Sequence, residues 1–174
     1  MKTRWIVGIM SALAMAGSSA IAQESTNRVG ANTDWSIFVE DNPKQCWVVS
    51  APKKTVNTRD GRVVAVRRGD IYMFVSFWPG EKKRGEVSFM GGYPFKPDST
   101  VSLEVAGTKF ELFTKDETAW PASEDEDRKI TTALKRGAEA VITGRSARGT
   151  ITKDTFSLMG FTAAYEDAAK RCGA

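Results

Sequence analysis

The sequence predicts a mainly β protein: an antiparallel β-sandwich or flattened barrel with two short helices, one near 123–136 and one C-terminal at 161–171. Three observations carry that expectation. Short runs that alternate apolar and polar residues recur along the chain, which is the period of a half-buried strand. Clusters of Gly, Pro, Asn and Asp separate them at short intervals, as turns do. Two stretches switch instead to helical spacing, with apolar residues gathered on one face.

The start of the chain reads as an address. Lys2 and Arg4 are a positive opening, Trp5 to Ala16 is apolar and uncharged, and small residues lead to Ala20-Ile21-Ala22. That A-x-A pattern predicts cleavage after Ala22. The apolar run is shorter than the about 20 residues a bilayer requires, so a cleaved signal is preferred to a membrane anchor. No later apolar stretch is long enough to span. Residues 1–22 are therefore read as a signal peptide, 23–33 as a flexible polar leader, and 34–174 as one β-rich domain in the periplasm or at the outer surface. A mature chain of about 150 residues has room for one core. The whole chain carries a formal charge of +4. Loss of Lys2 and Arg4 leaves about +2, no nucleic-acid signature. An exported protein with two cysteines most simply joins them, here Cys46 to Cys172; two separate buried thiols are the alternative. A bridge closing a loop of about 125 residues stabilises by roughly 5 kcal/mol in the chain-entropy picture.

Each element follows from its residues. Trp35, Ile37 and Val39 alternate as a strand, Glu40 to Lys44 turns on Asn42-Pro43, and Gln45 to Ser50 returns as a hairpin partner. Lys53 to Arg62 is a polar connection with a turn at Asp60-Gly61, and Val63 to Val66 is a short strand that Arg67-Arg68-Gly69-Asp70 interrupts. Ile71 to Trp78 is so rich in apolar and aromatic residues that both faces are expected to be covered. Pro79 to Gly85 turns with a basic tip, Glu86 to Met90 is a strand, and Gly91-Gly92 before Tyr93-Pro94-Phe95 marks a bend. Val101, Leu103 and Val105 pair across Ala106-Gly107-Thr108 with Phe110 and Leu112. The first helix opens on a Ser123–Glu126 capping box with acids in its first turn, carries Ile130, Ala133 and Leu134 inward, and ends on Gly137. The acidic run Glu124 to Asp127 lacks the ligand spacing and central glycine of an EF-hand loop, so capping is preferred to calcium. Ala138 to Gly144 is a strand. Thr150 to Leu158 is the last strand, with a bulge near Lys153-Asp154. After Gly160, Phe161, Ala164, Tyr165, Ala168, Ala169 and Cys172 share one helical face.

With no histidine in the chain, Ser-His-Asp and Cys-His catalysis and most zinc sites are excluded. There is no C-x-x-C, no P-loop and no G-x-G-x-x-G before a helix. Carboxylates are plentiful, yet no two stand out as a glycosidase pair. No catalytic residue, metal or cofactor is assigned. Two features remain for binding. Trp78 and Trp120, with Trp47, Tyr93 and Phe95, fall at strand ends or in loops, where they stack on sugars or peptides or else pack into the core; Trp35 and Phe110 are expected in the core. Arg67 and Arg68 in one turn, and Lys82, Lys83 and Arg84 in another, form a patch for phosphates or acidic glycans if the turns share one end. Otherwise they are solvated tips.

Taken together, Asp34-Trp35-Ser36, Gln45-Cys46-Trp47-Val48-Val49, Gly85-Glu86-Val87-Ser88-Phe89, Trp120-Pro121 and the closing stretch from Lys153 to Ala164 with Cys172 resemble the invasion-associated locus B family of alphaproteobacterial exported proteins. The closing stretch is the most specific, an aromatic-Ser-Leu-x-Gly-Phe entering an alanine-rich helix. Many members carry Trp-x-Val-x-Cys at the first strand, where this chain has Trp35-Ser36-Ile37-Phe38-Val39. The resemblance implies an exported, mostly β protein of the periplasm or outer surface, in a family named for a role in host-cell entry. It brings no catalytic residue. The expected function is a non-enzymatic envelope binding domain whose partner is an envelope or host protein, a peptide or a glycan. A carboxylate-based hydrolase and an oligomerising structural protein are the alternatives.

Overall fold

The structure, a computed structural model, describes residues 27–173. The signal peptide expected at 1–22 lies outside the described residues. The strands are β1 (Arg28–Asn32), β2 (Trp35–Asp41), β3 (Lys44–Ser50), β4 (Lys54–Arg59), β5 (Arg62–Val63), β6 (Tyr72–Trp78), β7 (Lys83–Met90), β8 (Thr100–Val105), β9 (Thr108–Lys115), β10 (Thr118–Trp120), β11 (Glu139–Arg145) and β12 (Ile151–Ser157). The helices are α1 (Glu124–Arg136) and α2 (Phe161–Arg171), and a single 3₁₀ turn covers Pro79–Glu81. The strands form one antiparallel sheet in the order β1-β2-β3-β6-β7-β10-β9-β8-β11-β12-β4-β5.

The sheet bends over until its two halves meet, without joining its edges. Phe89 of β7 and Phe156 of β12 touch edge to face with centroids 6.2 Å apart. Inward residues of both halves, among them Val75, Phe77, Leu103 and Ile142, are fully buried. Full burial of such side chains contributes roughly 2–3 kcal/mol each.

α2 lies against the inner face of β2 and β3. Phe161 packs edge to face on Trp35 with centroids 4.8 Å apart, and Ala164 and Ala168 are small enough to bring the helix close to the strands. Gly160 opens the turn with φ 86°, and a side chain there would run into the Asn32 carbonyl. The helix ends at a disulfide from Cys172 to Cys46 on β3, with Cα atoms 5.9 Å apart. α1 begins on the expected Ser123 cap, whose hydroxyl accepts from the Glu126 amide, while the Glu126 carboxylate pairs with Lys129 and leaves the capping box half made.

Several expectations are corrected. The polar leader assigned to 23–33 gives way at Arg28, because β1 pairs with β2 through backbone groups that need no apolar alternation. The connection at 53–62 is instead β4, the turn at Asp60-Gly61 and β5, while Val64 to Val66 leave the sheet. Ile71 to Trp78 does not have two covered faces: Met73, Val75 and Phe77 are buried, and Tyr72, Phe74 and Trp78 are half-buried on the outside. Trp47 lies in the middle of β3 and not at a strand end, whereas Trp120 closes β10 as expected. The bulge expected near Lys153-Asp154 is absent: β12 pairs with both neighbours in unbroken register. Thr152, Asp154 and Phe156 all point inward. The strand keeps its register with a carboxylate turned inward because Arg68 supplies the partner.

Candidate functional site

The inward side of β12 carries the polar centre of the molecule. Asp154 is 0% exposed. Arg68, in the segment between β5 and β6, reaches it with both terminal nitrogens, Nη1 to Oδ1 at 2.8 Å and Nη2 to Oδ2 at 2.7 Å. The same guanidinium donates to the Gly91 carbonyl from Nε and Nη2. The Thr55 hydroxyl on β4 adds a hydrogen bond of 2.8 Å to Asp154 Oδ1. Arg68 also lies over the Tyr93 ring, 4.9 Å from its centroid. The hydroxyls of Tyr93 and Thr152 share a hydrogen bond of 2.6 Å. Burial pushes the Tyr93 phenol above its ordinary pKa, opposed by that hydrogen bond and by Arg68, so the ring stays neutral. Gly92, at φ 70°, lets the Gly69 amide donate to its carbonyl at 2.8 Å. A Cβ at Gly92 would stand 2.6 Å from the Gly69 oxygen. The chain from Val64 to Gly69 is thereby pinned beside the Gly91–Pro94 bend.

Between this segment, the bend and the turn joining β11 to β12 lies a cavity of about 670 Å³. Its floor holds Arg68, Tyr93 and Thr152, and its wall includes Val64, Val66 and Pro94. Arg59, Arg67 and Arg148 stand at its rim with Glu117. Arg59 is anchored by donating from Nη2 to the Thr150 hydroxyl at 2.7 Å. Among the described residues, Arg67 and Arg148 are exposed and form no ion pair.

The other sequence candidates gather elsewhere. Trp78 lies under the Lys83 ammonium, 4.7 Å from its ring centroid. Lys83 pairs with Glu86 at 2.8 Å, which raises its pKa above the ordinary lysine value. Trp120, Lys83, Glu86 and Asp127 line a shallow hollow of about 380 Å³, and Lys82 and Arg84 line a smaller one beside it. Asp127, in the first turn of α1, accepts the Val87 amide at 2.8 Å. Burial raises its pKa to about 6, with the Glu86 and Glu124 charges adding to the shift against that hydrogen bond and Lys83.

Trp78, Trp120, Lys82, Lys83 and Arg84 thus share one surface, and Arg67 and Arg68 belong to the cavity. Arg68 is the exception to the basic-patch expectation, its side chain 6% exposed and its charge held by Asp154. The sequence reading missed Arg59, Arg148 and Asp154. Strict alternation through β12 would have marked Asp154 as an inward charge requiring a cation. Two other concavities are weaker candidates. The trough outside β2, β3 and β6 holds Phe38 and Trp47, whose planes lie 3° apart with centroids at 5.3 Å. One face of each is spent on the other. The groove between α1 and the β8–β9 hairpin is lined by solvated helix side chains over Phe110.

The family model described as invasion associated locus B (IalB) protein matches residues 35–169. The chain belongs to the invasion-associated locus B family. The matched span runs from Trp35 on β2 to Ala169 on α2 and takes in the whole cavity, while β1 and Cys172 fall outside it. No curated protein and no solved structure matches the chain. Among the described residues, no group of three or more His, Cys, Asp or Glu is placed to hold a metal, and no helix is long and apolar enough to cross a membrane.

Proposed function

We propose that this invasion-associated locus B protein is an exported, non-enzymatic binding domain of the cell envelope that holds its ligand in the arginine-rimmed cavity. Export is supported by the family, by the bond between Cys46 and Cys172 and by the signal-like start of the sequence. The observation that carries binding is the cavity floor. Arg68, Asp154, Tyr93 and Thr152 already satisfy one another, so the concavity is preformed and costs little to order on binding. The same network locks the Asp154 carboxylate and withholds it from acid–base work.

A pull-down from envelope extract tests the reading. Immobilised wild-type chain is compared with Arg67→Ala/Arg148→Ala at the cavity, and with Trp78→Ala/Trp120→Ala and Lys82→Ala/Arg84→Ala at the second surface. Loss of captured molecules with the cavity pair alone is the expected result. Retention of every one by the cavity pair sinks the assignment.

A carboxylate hydrolase is the second reading, favoured by the hollow where Glu86 and Asp127 face Trp120. Against it, Asp127 is buried and held by the Val87 amide. Turnover of cell-wall fragments that disappears in Asp127→Asn would reverse the order of the two readings.

A further inference from the structure

We infer that the cavity takes a small amphipathic anion, with a phosphate or carboxylate between the rim arginines and a short apolar body against Val64, Val66 and Pro94. This rests on the binding reading above and supplies the ligand's chemistry. Three guanidinium groups from separate parts of the chain converge on the rim: Arg59 from the end of β4, Arg67 from the segment after β5, and Arg148 from the β11–β12 turn. One carboxylate, Glu117, lines the same cavity near the surface. Asp154, bonded to the Arg68 of the floor, is consumed by that guanidinium. The rim is therefore left with a surplus of positive charge.

An arginine on open surface is mostly solvated and gains little from a counter-ion. Here the cations border a concavity walled by Val64, Ala65, Val66, Pro94 and Ala147. Low-dielectric walls focus the field and strengthen charge-assisted hydrogen bonds to a bound anion. Guanidinium groups also match the planar, bidentate geometry of carboxylate and phosphate oxygens. The apolar wall sets the second requirement. A bare inorganic anion would leave Val64 and Val66 in contact with water, whereas a short acyl or aryl group covers them. Neutral and cationic ligands are disfavoured by the same rim.

Phenyl phosphate is the probe, titrated into the purified mature chain and followed by calorimetry and by the amide resonances of Tyr93 and Ala147. Saturable binding is expected, tighter than inorganic phosphate. Arg67→Ala/Arg148→Ala should weaken it on the order of tenfold or more, about 1.4 kcal/mol per tenfold. Both arginines are exposed and, among the described residues, form no ion pair, so the variant keeps its fold, as its unfolding curve will verify. Lys82→Ala/Arg84→Ala, which removes the same charge from the second surface, should leave affinity unchanged. An equal loss in that control would mean nonspecific charge attraction and would overturn the proposal, as would the absence of a saturable shift at Tyr93 and Ala147.

A phospholipid headgroup presents the same chemistry. Flotation with phosphatidylglycerol vesicles that the cavity variant loses would assign the anion to a membrane. Saturable phenyl phosphate binding without flotation assigns it to a soluble ligand. Binding of benzyl alcohol in place of phenyl phosphate would defeat the anion inference and leave the binding domain standing. Failure of both probes, together with unaltered capture from extract by the cavity variant, would remove the cavity from function altogether.

Discussion

Asp154 and Arg68 make the sharpest claim at the scale of single residues. A buried pair is neutral on balance against an apolar substitute, but breaking one side leaves an uncompensated charge and costs about 3–5 kcal/mol. Asp154→Asn should therefore lose stability of that order in urea unfolding, and Arg68→Met/Asp154→Leu should recover much of it. A harmless Asp154→Asn would show that Arg68 finds solvent or another acceptor. Asp127 predicts a pH dependence. Its folded pKa, about 6, lies above its ordinary value of 3.8, so between about pH 4 and 6 the folded state holds a proton that the unfolded state has released. Stability should fall as pH rises through that window and level off above it. Asp127→Asn keeps an acceptor for the Val87 amide and should flatten this component. The chain has no histidine to contribute a competing titration near pH 6, so a slope that persists in the variant would refute the assignment. The sequence contained the clue to Asp154 in its period-two position. It held no clue to the partner, because an ion pair between residues 86 positions apart is set by strand order and not by spacing.

At the scale of elements, hairpins and helices were legible, and their arrangement was not. β2–β3 and β8–β9 were written in local alternation and turn residues. α1 was written in its cap and stripe, and α2 in the shared face from Phe161 to Cys172. β1, β4 and β5 are polar strands held by backbone hydrogen bonds and long-range pairing, so their residues carry little periodic signal. The cavity was hidden for the same reason: it is assembled by β4, by the segment after β5 and by the β11–β12 turn, which become neighbours only in the folded sheet. The Cys46–Cys172 bond sits on the element scale too, since it ties α2 to β3. Cys172→Ser should cost stability of up to about 5 kcal/mol. Amide exchange in α2 should rise more than in β6 and β7, because the helix end loses its only covalent anchor. Uniform loss across the fold would argue against a local clamp. Ser123→Ala should cost about 1 kcal/mol through loss of the α1 cap, a much smaller effect.

For the whole molecule, the strand order has a consequence in time. β4 is hydrogen-bonded to β12, and its Thr55 reaches Asp154 across 99 positions of chain. Cys46 waits across 126 for Cys172. A growing or threading chain therefore presents β4 and an uncompensated Arg68 long before β12 and its Asp154 exist. The N-terminal hairpins can form early, but the bent sheet, the buried ion pair and the cavity cannot close until the final strand arrives. A chain passed end first through a narrow pore would stay pliable for almost its whole length, and would lock only when its last residues came free.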